Sequence, residues 1–145
     1  MTRFTPLFAL AGLVAAAPLA ANAPAPIAGR WQSPSDSVVV EVAPCGSAFC
    51  GTVVSATAKA KADARKGGTA SLVGTRLMTG FKPAKPNEWE DGRIYDPSDG
   101  STYHAEMRLE NPNSLRLRGY VLLPLLGKSQ VWTRVAGDYQ RCSAG

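Results

Sequence analysis

Apolar and polar residues alternate along most of this chain in short runs, and turn-forming residues separate the runs. Residues 37–42 place Val38, Val40 and Val42 on one face and Ser37, Val39 and Glu41 on the other. That two-residue period predicts a strand half-buried against a core. Gly29-Arg30-Trp31 opens the pattern, residues 45–50 turn the chain, and residues 51–57 return as the partner strand. Strand character resumes over residues 75–82. Past the loop Pro-Ala-Lys-Pro-Asn-Glu, residues 89–96 and 101–110 form a hairpin. In its second arm Tyr103, Ala105, Met107 and Leu109 share one face, and Thr102, His104, Glu106, Arg108 and Glu110 share the other.

Asn-Pro-Asn-Ser is the next turn. Beyond it Leu115, Leu117, Gly119 and Val121 continue the apolar face, with Arg116, Arg118 and Tyr120 opposite. Pairing Leu109 with Leu115 sets His104 across from Tyr120. Residues 129–135 form the last strand. About seven or eight short strands joined by turns predict a meander that closes into a barrel or sandwich. A barrel of about eight strands has an interior that side chains fill or that holds one small ligand.

One segment breaks the alternation. Residues 58–66, Ala-Lys-Ala-Lys-Ala-Asp-Ala-Arg-Lys, contain helix formers but no large apolar residue, and Gly67-Gly68 ends any helix there. A short helix or a loop fits; a core helix does not.

The first residues stand outside the fold. Arg3 precedes an apolar run over residues 7–17, broken only by Gly12, and Ala21-Asn22-Ala23 supplies the small residues of a cleavage site. This is the pattern of a secretory signal peptide over residues 1–23. The run is too short to span a bilayer. Cleavage after Ala23 leaves Pro24, whose tertiary amide is a poor scissile bond, so a cut near Ala21 is the alternative. No cysteine follows the run to carry a lipid. Residues 24–28 then read as an extended leader, residues 29–135 as one β-barrel domain, and residues 136–145 as a tail. A chain of 145 residues is sized for a single domain.

The formal net charge of +5 falls to +4 when Arg3 leaves with the signal segment. A modest positive charge is compatible with contact with an anionic envelope surface, although a mixed solvated surface is the simpler reading. It does not imply nucleic acid, because Lys and Arg are spread along the chain and export argues against it. Export also permits disulfides. Of the three cysteines, Cys45 and Cys50 lie close together beside Gly46 and Gly51, and a bridge clamping a tight loop is the natural assignment. Two metal thiolates are the competing one, but a single His and the distant Cys142 make a poor ligand set. Cys142 is left free or joined to another chain.

The chain's one histidine lies near Asp96-Pro97-Ser98-Asp99-Gly100. Those residues have turn chemistry. Pro97 presets φ, the Asp side chains accept local N–H bonds, and Gly100 can take the left-handed conformation. Pro97 and Ser98 interrupt the oxygen ligands of a calcium loop. Alternation puts His104 on the polar face, away from any catalytic partner, and no G-x-S-x-G, H-E-x-x-H or P-loop pattern occurs. Glu88, Glu90 and Asp91 around Trp89 are a candidate carboxylate pair with a sugar platform. A solvated loop with one buried aromatic is the alternative. No catalytic residue, metal ligand or cofactor is assigned.

Larger pieces match a family pattern: Gly-Arg-Trp, then Cys-Gly-Ser-Ala-Phe-Cys-Gly, Leu-Met-Thr-Gly-Phe, the Tyr95–Tyr103 turn, and Arg118-Gly119-Tyr120 with Trp132-Thr133-Arg134. The chain resembles the bacterial exported family called domain of unknown function 2147 over about residues 29–134, nearly all of the mature chain. It departs from that pattern at residues 61–77, where Asp63 has no following Asn. The resemblance implies a small lipocalin-like, calycin-type antiparallel up-and-down barrel. It also implies a structural pair: Gly29 and Trp31 on the first strand, with Arg134 of the last strand stacked over Trp31. It implies no activity.

The expected protein is therefore an all-β barrel, periplasmic or secreted and monomeric, that binds a small apolar or amphiphilic ligand without catalysis. The alternatives are an envelope protein-interaction module with a filled barrel, exposing residues 120–127 and the Ala/Lys segment, and a carboxylate hydrolase. A ligand-sized cavity favours the first and a filled core the second.

Overall fold

The computed structural model describes residues 26–121 and 127–136, with Gly12 alone ahead of them. Among these residues eight strands follow one another: β1 (Gly29–Gln32), β2 (Val38–Cys45), β3 (Ala48–Ala56), β4 (Arg76–Pro83), β5 (Glu88–Asp96), β6 (Ser101–Asn111), β7 (Ser114–Tyr120) and β8 (Lys128–Val135). One helix, α1 (Ala58–Lys66), joins β3 to β4. Each strand pairs antiparallel with the next and β8 pairs back with β1, so the sheet closes into the up-and-down barrel that the alternation predicts. The register sets Leu109 opposite Leu115 and His104 opposite Tyr120.

Antiparallel order sorts the connections into two ends. The β2–β3, β4–β5 and β6–β7 turns share one end with the start of β1 and the close of β8. The β1–β2 loop, α1, the β5–β6 turn and the start of β8 share the other. Between the ends lies one contiguous cluster that includes Trp31, Val40, Val42, Val53, Met78, Phe81, Trp89, Met107, Leu115, Leu117 and Trp132. Phe81 fills the barrel so closely that a Cβ on Gly92 would meet its ring at 2.4 Å. Packing of this kind makes large-to-small changes in the core cost about 2–5 kcal/mol.

Three local features differ from the simple alternation. Val39 is buried along with Val40, although the two-residue period sets them on opposite faces. Beside it β3 carries a bulge, since Val40 pairs with Val53 and Val39 with Ser55 so that Val54 is the extra residue, and Val39 does not join the core cluster. Cys45 and Cys50 lie within β2 and β3, and only Gly46 and Ser47 make the turn between them. Residues 58–66 are helical, capped by the Thr57 hydroxyl, which accepts from Ala60 N–H at 3.2 Å. The helix has no bulky apolar face, yet Ala64 is buried and joins the core together with Leu72. A small residue lets the helix backbone come close to the barrel.

The expected signal segment, residues 24–25 of the leader, residues 122–126 of the exposed stretch, and Cys142 with the rest of the tail after Ala136 all lie outside the described residues.

Candidate functional site

At one end of the barrel the Arg134 guanidinium carbon lies 4.3 Å from the centre of the Trp31 ring. Strand register sets this up, because β1 and β8 place Trp31 and Arg134 opposite each other. Trp31 is fully buried and donates its indole N–H to the Ile27 carbonyl at 2.9 Å. Arg134 donates to three carbonyls: Nε to Pro112 at 2.6 Å, Nη1 to Ala28 at 3.0 Å and Nη2 to Pro26 at 2.5 Å. Gly29 makes room for it. At φ 130° it holds a conformation that side chains resist, and a Cβ there would sit 2.7 Å from Arg134 Nη1. The cluster ties residues 26–29, the β6–β7 turn and β8 together, and its groups are occupied in holding the chain.

The opposite end is built differently. Asp96, Pro97, Ser98, Asp99 and Gly100 form the β5–β6 turn. Gly100 N–H donates to Asp96 O at 2.9 Å, Ser98 N–H to Asp96 Oδ1 at 2.9 Å, and Ser101 N–H to Asp99 Oδ1 at 2.8 Å. Gly100 has φ 75°. Both carboxylates are thus engaged with the turn's own N–H groups. Gly67, the residue after α1, packs on this turn so tightly that a Cβ would lie 2.3 Å from Pro97 O. Thr69 and Tyr95 share a hydroxyl–hydroxyl bond of 2.8 Å nearby. His104 is exposed and stacks on Tyr120, with ring centres 5.8 Å apart. Among the described residues, no group of three or more His, Cys, Asp or Glu could hold a metal ion.

The barrel seam is incomplete at this end. β1 pairs with β8 only at Thr133, Arg134 and Val135. Residues 128–132 of β8 pair with β7 but have no β1 partner. Residues 128–131 are exposed, and Trp132, next along the strand, is buried to 5% exposure. Its indole Nε1 has no hydrogen-bond partner. Leaving a buried N–H unpaired costs about 1–3 kcal/mol, so a native protein that keeps one there calls for an explanation. The sequence places Trp132 in the last strand but gives no sign of its unpaired N–H, which only the packed structure shows.

Glu88 and Glu90 line a cleft of about 240 Å³ on the barrel wall with Glu106, Arg108, Arg116 and Arg118. Asp91 does not line it. Trp89 also lines the cleft, but it is 5% exposed, belongs to the core cluster and meets Phe49 edge-on at 6.2 Å, so little of its ring is open to a sugar. Glu88 faces Arg108 at 3.9 Å, and Glu110 pairs with Arg116. These two pairs link β5 to β6 and β6 to β7. A second, open cleft of about 450 Å³ runs beside Arg30, Glu41 and Arg134, where Arg30 is paired with Glu41 at 3.2 Å. On α1 the hydrogen bond from Lys59 holds the Asp63 carboxyl below its ordinary range.

Cys45 and Cys50 are joined by a disulfide, with Cα atoms 5.8 Å apart. A disulfide is compatible with an oxidising, extracytoplasmic setting. Among the described residues no helix is long and apolar enough to cross a membrane.

The family described as uncharacterized protein conserved in bacteria (DUF2147) matches residues 29–134. The chain belongs to this family. The matched span of this DUF2147 member begins with the glycine that admits Arg134 and ends with Arg134 itself. Among solved structures, it is similar to protein HP1028 from the human pathogen Helicobacter pylori, which is described as belonging to the lipocalin family. The likeness has a TM-score of 0.63 at 16% identity and covers 79% of this chain and 86% of that one. At that identity it shows the fold alone, an eight-stranded lipocalin-like barrel. No curated protein matches the chain.

Proposed function

We propose that this DUF2147 protein is an exported, non-enzymatic binding barrel that holds a small, partly apolar molecule at its incompletely closed seam. The observation that carries this is the Trp132 indole N–H, buried, unpartnered and beside the part of β8 that runs past the end of β1. A ligand with an apolar body and one hydrogen-bond acceptor suits such a site, since small-molecule sites are mostly apolar with few polar groups. The lipocalin-like barrel is compatible with a ligand of this kind. The engaged turn carboxylates, the ion-paired Glu88 and the burial of Trp89 support a role without catalysis. The disulfide and the basic, apolar N-terminal sequence support export to the periplasm or beyond.

A second role is favoured by the contiguous core. Trp31, Phe81, Met78, Met107 and Trp132 together fill much of the interior, which suits an envelope interaction module with no ligand. Native mass spectrometry of protein taken directly from the cell envelope separates the two. The ligand role predicts a bound small-molecule mass in the wild type that is absent in Trp132→Phe. The bare chain mass in both variants would exclude it.

A further inference from the structure

We propose that the end of the barrel carrying α1 rests on an anionic lipid surface. The helix presents Lys59, Lys61, Arg65 and Lys66 to solvent while Ala64 faces the core. Asp63 is taken up by Lys59 at 2.6 Å, and no ion pair among the described residues joins Lys61, Arg65 or Lys66. Arg76 and Lys128 open β4 and β8 at the same end, and both are exposed. The acidic residues of this end are Asp36, Asp63, Asp96 and Asp99. Three of them are spoken for, by Lys59 or by N–H groups of the β5–β6 turn.

Apolar side chains stand beside these charges. Val73, in the connection from α1 to β4, is 41% exposed, and Val121, just past β7, is 68% exposed. Topology brings the pieces together. Gly67 fixes the close of α1 on the β5–β6 turn, and the His104–Tyr120 pairing sets the end of β7 beside the start of β6. Basic residues flanked by exposed apolar ones match the interface of an anionic bilayer, where cations meet headgroups and valines reach the acyl boundary. This inference does not depend on a ligand at Trp132.

Sedimentation of the purified chain with vesicles tests it. One set is phosphatidylcholine alone, and the other contains about one-third phosphatidylglycerol. Binding is expected only to the second, falling at least ten-fold as salt rises from about 0.05 M to about 0.3 M. Each basic residue neutralised should weaken binding about five-fold. Lys61→Gln with Lys66→Gln should therefore weaken it about twenty-five-fold, and the uncharged Val121→Asn should weaken it without changing the salt dependence. These side chains are exposed, so the variants keep their fold, and circular dichroism checks that. Equal binding to both vesicles, no binding to either, wild-type binding by the double variant, or binding to a soluble polyanion such as heparin in place of vesicles would overturn the proposal.

Discussion

Arg134 closes the barrel over Trp31: its guanidinium carbon is 4.3 Å from the indole centre, and its nitrogens reach three backbone carbonyls. A cation–π contact is worth about 0.5–2 kcal/mol, and hydrogen bonds from a charged donor about 1.5–3 kcal/mol each before coupling is considered. Arg134→Ala should therefore cost about 2–4 kcal/mol. Arg134→Lys should recover less than half of that, because one ammonium cannot serve the ring and three carbonyls at once. The urea midpoint of each variant measures this, and an unchanged midpoint would refute a fastening role.

The disulfide bridges neighbouring strands across a short turn, so it removes only a short loop from the unfolded chain. By loop-closure entropy it should contribute about 2 kcal/mol. The double variant Cys45→Ser, Cys50→Ser should stay folded with its denaturant midpoint lowered accordingly. Non-reducing peptide mapping should recover one peptide joining Cys45 to Cys50, with Cys142 in neither half. A bridge to Cys142 would contradict this.

Gly100 sits at φ 75° in a turn where the Ser98, Gly100 and Ser101 N–H groups donate to oxygens of Asp96 or Asp99. Gly100→Val should destabilise by about 1–3 kcal/mol, the cost of a β-branched residue in the left-handed region. His104→Gln should lose little beyond its stacking on Tyr120. Calorimetric titration with calcium and zinc should give only heats of dilution. A micromolar site lost in His104→Gln would restore a metal role for this stretch.

Gly67 is required for closeness: at φ −80° any residue could adopt its backbone, but a Cβ there would strike Pro97 O. Gly67→Ala should lift α1 from the β5–β6 turn. Hydrogen exchange of the α1 amides should quicken at least ten-fold while the β2 and β6 amides keep their protection. Uniform change across the barrel would argue against so local a contact.

Strand order, the hairpins and the Leu109–Leu115 register could be read from alternation because each strand buries one face, and a one-residue slip would turn Ala105 and Met107 outward. The bulge at Val54 could not be read, since it is a backbone event with no residue to announce it. The burial of Ala64 was hidden because alanine has no size to mark a face, yet it joins the core cluster with Leu72. Trp132 was legible as a strand residue. Its unpaired N–H was not, because the acceptors around a buried indole are set by packing rather than by its place in the strand.

The central claim is that the Trp132 indole N–H anchors a ligand. The chain has three tryptophans, so a nitrogen–proton correlation spectrum should hold three indole signals, and Trp132→Phe assigns the relevant one. Spectra should be compared for protein isolated natively and for the same protein stripped of bound molecules by unfolding and refolding. A Trp132 indole signal that moves upfield on stripping, while the Trp31 signal stays fixed, is the predicted result. A Trp132 signal identical in both samples would contradict it.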